Sequence, residues 1–230
     1  MVLNTQNPKR IEIANTQHTL IYGVDYDQSQ SETLREGSTT NRQDGSTAIE
    51  FSNFPTRDFP NSEYTSLGVF LQDDFSLLDG RLNIIPSVRY DHFELTPTAD
   101  PIYLSGNTGS PTPAGYDESE LSATLGVVYK VNDNWSAFAQ YAQGFRAPPL
   151  DAVNTGFTNF SGGYTALPNP DLKPEMGDSY EFGIRRFNDG NSLEVAVFDN
   201  RYTDFIEGLA VRGFNPATGL LEFQARNLDQ

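Results

Sequence analysis

Three aromatic side chains, Phe157, Phe160 and Tyr164, fall within one stretch of sequence that also holds Gly162-Gly163 and is bracketed by Pro148, Pro149, Pro168, Pro170 and Pro174. Aromatic rings offer a large contact area to a planar ligand, and equally they pack a loop on itself. The prolines fix φ and remove N–H donors, stiffening both ends of the stretch. That suits a shaped binding loop and a well-packed cap alike. Arg146, where the stretch begins, can meet an anionic ligand or pair with Glu175 where it ends, because charges facing a confined space need partners.

The other groups that could do chemistry are poorly placed for it. Asp73-Asp74 and Asp117-Glu118 are adjacent carboxylates, but neighbours in a strand point to opposite faces, so neither forms an acid/base pair. There is no Gly-rich phosphate loop, no His-x-Glu or His-Glu-x-x-His metal pattern and no G-x-S-x-G elbow. The two histidines, His18 near a turn and His92 near the far end of its strand, read as rim residues. A ligating imidazole must be neutral, face the substrate and have a partner on its other nitrogen. With 0 cysteines, thiolate sites and disulfides are excluded. The expectation is a protein that is not an enzyme and has no cofactor or metal of its own.

The elements that must carry these residues are strands. Amphipathic segments of ten or more residues are joined alternately by tight polar turns and long Gly/Pro/Asn/Ser-rich excursions. The tight joins are Leu78-Asp79-Gly80, Asn132-Asp133-Asn134 and Asn188-Asp189-Gly190-Asn191; the long ones cover roughly 29–63, 96–118 and 146–175, with a shorter one near 208–219. In an antiparallel meander, successive connections emerge at opposite ends, so this alternation collects the short turns on one side and the long loops on the other. Eight strands are expected near 18–28, 64–77, 81–95, 119–131, 135–145, 178–187, 192–206 and 219–227, with a ninth before Asn15.

Within the strands one face suits lipid and the other water. Leu121, Ala123, Leu125, Val127, Tyr129 and Val131 alternate with Ser122, Thr124, Gly126 and Lys130. Leu20, Tyr22, Val24 and Tyr26 likewise oppose Thr19, Gly23, Asp25 and Asp27. The same holds for Leu82, Ile84, Val88 and Tyr90 against Asn83, Ser87, Arg89 and Asp91, and for Tyr180, Phe182 and Ile184 against Ser179, Glu181 and Arg185. In Leu193 to Phe205 the apolar residues change parity, from Val195 and Val197 to Phe198 and Tyr202, so its facing stays open. A soluble sandwich also alternates. Its strands average about five or six residues, whereas a tilted membrane strand needs about nine to eleven. Tyr22, Tyr26, Phe75, Tyr90, Tyr129, Trp135 and Tyr141 lie toward strand ends, where an interfacial girdle sits.

Composition agrees. A mean hydropathy of -0.49 is too polar for helical membrane spans, but a barrel's polar lumen dilutes its lipid face in such averages. A net charge of -16 without a basic cluster disfavours nucleic acid.

The run Tyr141-Ala142-Gln143-Gly144-Phe145-Arg146-Ala147-Pro148-Pro149-Leu150, followed by Leu167-Pro168-Asn169-Pro170-Asp171-Leu172-Lys173-Pro174-Glu175 and Ser179-Tyr180-Glu181-Phe182-Gly183, resembles the middle of the barrel of TonB-dependent outer-membrane receptors. Phe70-Leu71-Gln72-Asp73-Asp74 and Asp204-Phe205-Ile206 are similar to further pieces of it. The resemblance implies an all-β, antiparallel up-and-down meander, part of a barrel of about 22 strands, in the outer membrane of a Gram-negative bacterium. It also implies import of haem or an iron chelate, with outer-membrane lipid and the TonB complex as partners.

The Phe-Arg-Ala-Pro and Asn-Pro-Asp-Leu pair is most similar to the haem and haemoglobin receptor branch, whose intervening loop typically carries a haem-ligating histidine. Here the candidates in that loop are Tyr164, Asn154 and Asn159. The ligand-contacting set expected from the loop is Arg146, Asn154, Phe157, Phe160, Tyr164 and Asn169. By the same comparison residues 1–230 form one partial barrel domain, about a third of a barrel, without the plug. Such a piece is not expected to transport alone. The contrasting reading is a complete eight-stranded outer-membrane barrel acting as an adhesin or structural surface protein. A soluble carbohydrate-binding sandwich is the third.

Overall fold

The computed structural model of the chain describes residues 2–14, 16–49, 54–106 and 112–228. Parts of two long excursions, 50–53 and 107–111, thus lie outside the described residues. The strands are β1 (Val2–Ile13), β2 (Thr16–Ser31), β3 (Ser38–Thr40), β4 (Thr47–Ile49), β5 (Asn61–Leu77), β6 (Leu82–Thr98), β7 (Tyr116–Lys130) and β8 (Trp135–Arg146), then β9 (Thr158–Asn159), β10 (Tyr164–Leu167), β11 (Glu175–Asn188), β12 (Asn191–Thr203), β13 (Phe205–Asn215) and β14 (Leu220–Leu228). Two short helices, α1 (Pro101–Gly106) and α2 (Leu150–Asn154), lie in the long connections.

Eight strands make one meander wall in the order β1-β2-β5-β6-β7-β8-β11-β12. All its pairings are antiparallel. Its strands run from 12 to 17 residues, long enough to cross a bilayer at a tilt. Among the described residues the sheet is open, with β1 and β12 at its edges.

The tight turns form as their residues dictate. Asp189 and Gly190 both take positive φ, 48° and 80°, which is the twist a two-residue hairpin turn needs. Leu78, Asp79 and Gly80 share the left-handed region. These turns, 131–134 and the β1–β2 turn share one end of the wall, and every long connection leaves from the other.

Register turns the alternation into continuous rows. Val24, Val69, Tyr90 and Leu121 stand side by side across four strands. Val127, Ala139, Phe182 and Val197 do the same across β7, β8, β11 and β12. Phe182 is 57% exposed and Val197 66%, so among the described residues this apolar sheet face is left uncovered. The same pairing settles the facing of β12: Val195 and Val197 join the apolar rows opposite Ile184 and Phe182, while Phe198 and Tyr202 stand over Glu181 and Gly177 on the polar face.

Across that polar face, Arg89 binds Asp25 and Asp91, each at 2.7 Å. Gly68, between the two acids in register, leaves the space the guanidinium fills, and a Cβ there would collide with it. Both long faces are single-layered, so the buried apolar cluster lies elsewhere. Ala152, Val153, Leu172, Ile206 and Ala225 form it in a cap at the long-loop end, with Ala114 and Tyr116 packed against it.

Three sequence expectations are corrected at the C-terminal side. The segment 192–206 is not one strand: β12 ends at Thr203, Asp204 turns at φ 56°, and β13 starts at Phe205. The excursion near 208–219 is largely β13, whose glycines mark irregularities in its pairing with β14 rather than a loop; register shifts fall between Glu207 and Ala210 and between Val211 and Gly213. The segment 219–227 is not a wall strand. As β14 it belongs to a separate four-stranded sheet, β13-β14-β10-β9, in the cap. The eighth wall strand is instead β1, the one expected before Asn15.

Candidate functional site

The cap is built on the residues singled out in the sequence. Arg146 ends β8, Glu175 begins β11, and register sets them opposite each other. Arg146 Nη1 donates to Glu175 Oε2 at 3.0 Å; the arginine side chain is 64% exposed and the glutamate only 9%. The second carboxylate oxygen, Oε1, accepts the Ile206 N–H at 2.7 Å. Glu175 therefore ties the wall to the start of β13, and the pairing alternative for Arg146 is realised while most of its guanidinium faces solvent.

The Pro-rich return 168–174 seats β14. Asn169 Nδ2 donates to the Ala225 carbonyl at 2.9 Å, and its Oδ1 accepts the Asp171 N–H at 3.1 Å. Gln224 Nε2 donates to the Pro168 carbonyl at 2.8 Å. Asn227 Oδ1 accepts the Lys173 N–H and its Nδ2 donates to the Lys173 carbonyl, both at 2.9 Å. Prolines cannot donate, so side-chain amides on both partners complete this edge.

Asn154 is 1% exposed. Its amide closes a two-way clamp on Ala114, accepting from the N–H and donating to the carbonyl at 2.8 Å each. Its backbone carbonyl accepts the Tyr103 hydroxyl of α1 at 3.2 Å. Burial pushes the Tyr103 phenol above its ordinary value of 10.0.

Phe157 and Tyr164 are brought together, their ring centroids 6.3 Å apart at 62°. Tyr164 also meets Phe223 of β14 edge-on, at 6.2 Å and 89°. That contact exists because β10 runs parallel to β14, pairing Tyr164 with Leu221. The Arg35 guanidinium sits 4.4 Å from the Phe157 centroid, and its Nη1 donates to both Asp58 oxygens at 3.1 Å. These side chains and Leu209 line a recess of about 570 Å³. Phe160, at the tip of the β9–β10 hairpin, points away, 57% exposed. A second recess of about 530 Å³, sharing Thr155 and Leu209 with the first, is lined by Arg146 and Asp151.

Neither histidine reaches the cap. His18 Nδ1 lies 2.6 Å from Asp73 at the short-turn end and stacks on Phe75. His92 Nδ1 lies 3.0 Å from the Ser119 hydroxyl on the wall.

Sequence reasoning missed Arg35, Leu209 and Phe223, which come from the β2–β5 connection, β13 and β14 and carry no local pattern. Glu175 was visible only as a partner for Arg146; its bond to Ile206 depends on where β13 docks.

Long strands, a bare apolar face, a polar face bridged by half-buried ion pairs, and loops gathered at one end define a wall of a transmembrane β-barrel. The family description "TonB dependent receptor-like, beta-barrel" matches residues 3–230, and the chain belongs to that family, whose barrels stand in the Gram-negative outer membrane. It is 29% identical over 177 residues to the hemin receptor of Yersinia enterocolitica, covering 70% of this chain and 24% of that protein. It is 27% identical over 203 residues to the heme/hemopexin utilization protein C of Haemophilus influenzae, covering 82% and 24%.

Among solved structures, the Serratia marcescens hemophore receptor HasR, in complex with its hemophore HasA and heme, matches with a TM-score of 0.73. Identity is 17%, and the match covers 98% of this chain and 36% of that one. The siderophore receptor PirA from Pseudomonas aeruginosa matches at 0.67, with 17% identity over 99% and 36%. The chain spans about a quarter of the length of the curated relatives it matches.

Proposed function

We propose that this chain forms part of the wall and the outer cap of a receptor that imports an iron-containing ligand, haem or an iron chelate. In such a receptor the TonB complex supplies the energy through a plug domain and outer-membrane lipid surrounds the wall. The activity is transport rather than catalysis. The supporting observation is the cap itself: the stretch between Arg146 and Glu175, in a chain similar to hemin and heme/hemopexin proteins, is tied down at both ends and presents Phe157 and Tyr164 beside an open recess.

Among the expected contact residues, Arg146 offers an exposed guanidinium, Phe157 and Tyr164 offer half-buried ring surface at the recess, and Phe160 offers an exposed ring at the hairpin tip. Asn154 and Asn169 act through their clamps on Ala114 and Ala225, presetting the loop so that less entropy is lost on binding.

The test uses the complete receptor in an outer membrane whose own iron receptors are deleted. Growth is measured on haem and on ferric chelates as sole iron source, with and without residues 155–163 replaced by a Gly/Ser linker that spares Asn154 and Tyr164. Support is growth on at least one such ligand, with binding weakened about tenfold, or about 1.4 kcal/mol, in the replaced receptor. A correctly assembled receptor that supports no iron-dependent growth would refute the reading.

A further inference from the structure

We propose that the outward face of the wall, at its short-turn end, holds the headgroup of a zwitterionic aminophospholipid, with the phosphate on Arg81 and Arg186 and the primary ammonium against the aspartates of the turns beyond them. The wall alone builds this site, which is independent of the cap and of any imported ligand.

Two cations stand on aromatic rings where the apolar band ends. The last apolar row runs through Leu82, Tyr129, Ala137, Ile184 and Val195 on adjacent strands. One step nearer the turns, on the same face, Trp135 pairs in register with Arg186. The Arg186 guanidinium lies 5.7 Å from the Trp135 ring centroid, and that of Arg81 lies 5.5 Å from the Tyr129 centroid. Arg81 Nη2 also donates to the Tyr129 hydroxyl at 3.2 Å and to the Val131 carbonyl at 3.0 Å. The Val131 N–H in turn donates to the Trp135 carbonyl at 2.9 Å, which sets the two ring-bound cations side by side. The short turns of such barrels face the periplasm, and interfacial Tyr and Trp sit at headgroup level, so both guanidiniums lie in the headgroup layer of the periplasmic leaflet.

Charge decides the headgroup. In a chain of net charge -16 a cation readily finds a carboxylate: Arg185, next in sequence to Arg186, binds Glu194 at 2.6 Å on the polar face. Among the described residues, by contrast, Arg81 bonds only the Tyr129 hydroxyl and two backbone carbonyls, and Arg186 has the Trp135 ring alone as a partner. A guanidinium lying on a ring keeps donors free at its edge, and the anion that a headgroup layer supplies to them is a phosphate. A purely anionic headgroup fits poorly, because each tight turn beyond this row carries an exposed aspartate, Asp79, Asp133 and Asp189. Cations beside the apolar band with acids beyond them mirror a headgroup whose phosphate joins the glycerol and whose ammonium lies further out. A primary ammonium donates three hydrogen bonds to such carboxylates; a quaternary ammonium donates none.

The complete receptor, purified in detergent, is titrated with phosphatidylethanolamine, phosphatidylcholine and phosphatidylglycerol, and retained lipid is counted by native mass spectrometry. One variant combines Arg81→Gln with Arg186→Gln, both exposed side chains. The other combines Asp79→Asn, Asp133→Asn and Asp189→Asn, since asparagine tolerates the left-handed φ that Asp79 and Asp189 take. Wild type is expected to retain phosphatidylethanolamine in preference to the other two lipids. The arginine variant should weaken that retention at least about fivefold, the weight of one cation at a headgroup layer. The aspartate variant should hold phosphatidylglycerol as well as phosphatidylethanolamine, a gain that misfolding does not produce. Wild-type retention of phosphatidylglycerol above phosphatidylethanolamine, equal retention of all three lipids, or retention of none would overturn the proposal. So would phosphatidylethanolamine retention unchanged in the arginine variant, or a preference for it that survives loss of the three carboxylates.

Discussion

The carboxylate of Glu175 accepts the backbone N–H of Ile206 at 2.7 Å, across 31 residues, while its other oxygen holds Arg146. One buried acid thus joins the outer end of β8, the start of β11 and the start of β13. Ile206 itself is 8% exposed and belongs to the cap's apolar cluster.

Removing that acid should loosen the cap and spare the wall. Glu175→Ala leaves the Ile206 N–H buried without an acceptor, which costs about 1–3 kcal/mol. Limited proteolysis of the complete receptor should then cut within 205–228 while heat-modifiable mobility on gels stays normal. Glu175→Gln keeps an acceptor oxygen and should lie much closer to wild type. Arg146→Ala should also be mild, since that side chain is mostly in solvent. Equal protease resistance of Glu175→Ala and wild type would exclude the clamp.

The two wall faces should respond oppositely to charge. Val127 stands between Ile84 and Ala139 in the apolar rows, so Val127→Arg near the midplane should cost about 2–4 kcal/mol. Thr124, between Ser87 and Ala142 on the polar face, should accept arginine with far less effect. Folding midpoints in lipid vesicles compare the two; similar losses would reverse the face assignment.

Gly68 should be intolerant for a reason outside its own strand. A Cβ there would strike the Arg89 guanidinium and crowd the Asp91 carboxylate. Gly68→Ala should expel Arg89 and leave Asp25 and Asp91 without their shared cation, a larger loss than Gly144→Ala, where a Cβ meets only a distant carbonyl at 3.9 Å. Urea midpoints of the two variants in vesicles give the comparison, and equal values would show that Arg89 has room to move.

The cap should carry a pH dependence from Tyr103. Its phenol is raised above 10.0 by burial, so the folded state favours the protonated form. The resulting stabilisation is complete below pH 10.0 and is lost as pH rises through the higher folded value. With the base-catalysed intrinsic rate divided out, protection of the α1 and α2 amides should fall in that alkaline window, and Tyr103→Phe should abolish this component. Protection factors that stay constant through the window in wild type would contradict the assignment.

Much of this protein is legible without coordinates because its information is local. Alternation at Leu121 to Val131 states which face meets lipid, and Asp189-Gly190 states a hairpin, since side-chain period and turn chemistry depend on neighbours in the chain. Their repetition in short and long intervals orders the wall strands and gathers the loops at one end. Where the local pattern is ambiguous, only pairing resolves it: Val195 and Phe198 both offer an apolar face to β12, and the register with β11 puts Val195 in the lipid rows. Tertiary structure alone took β14 out of the wall and laid it parallel to β10. It also turned Asn154 and Asn169 into clamps and brought Arg35 onto Phe157. Those contacts join segments whose sequences hold no record of one another, because a buried amide or carboxylate bonds to whatever backbone the fold carries past it.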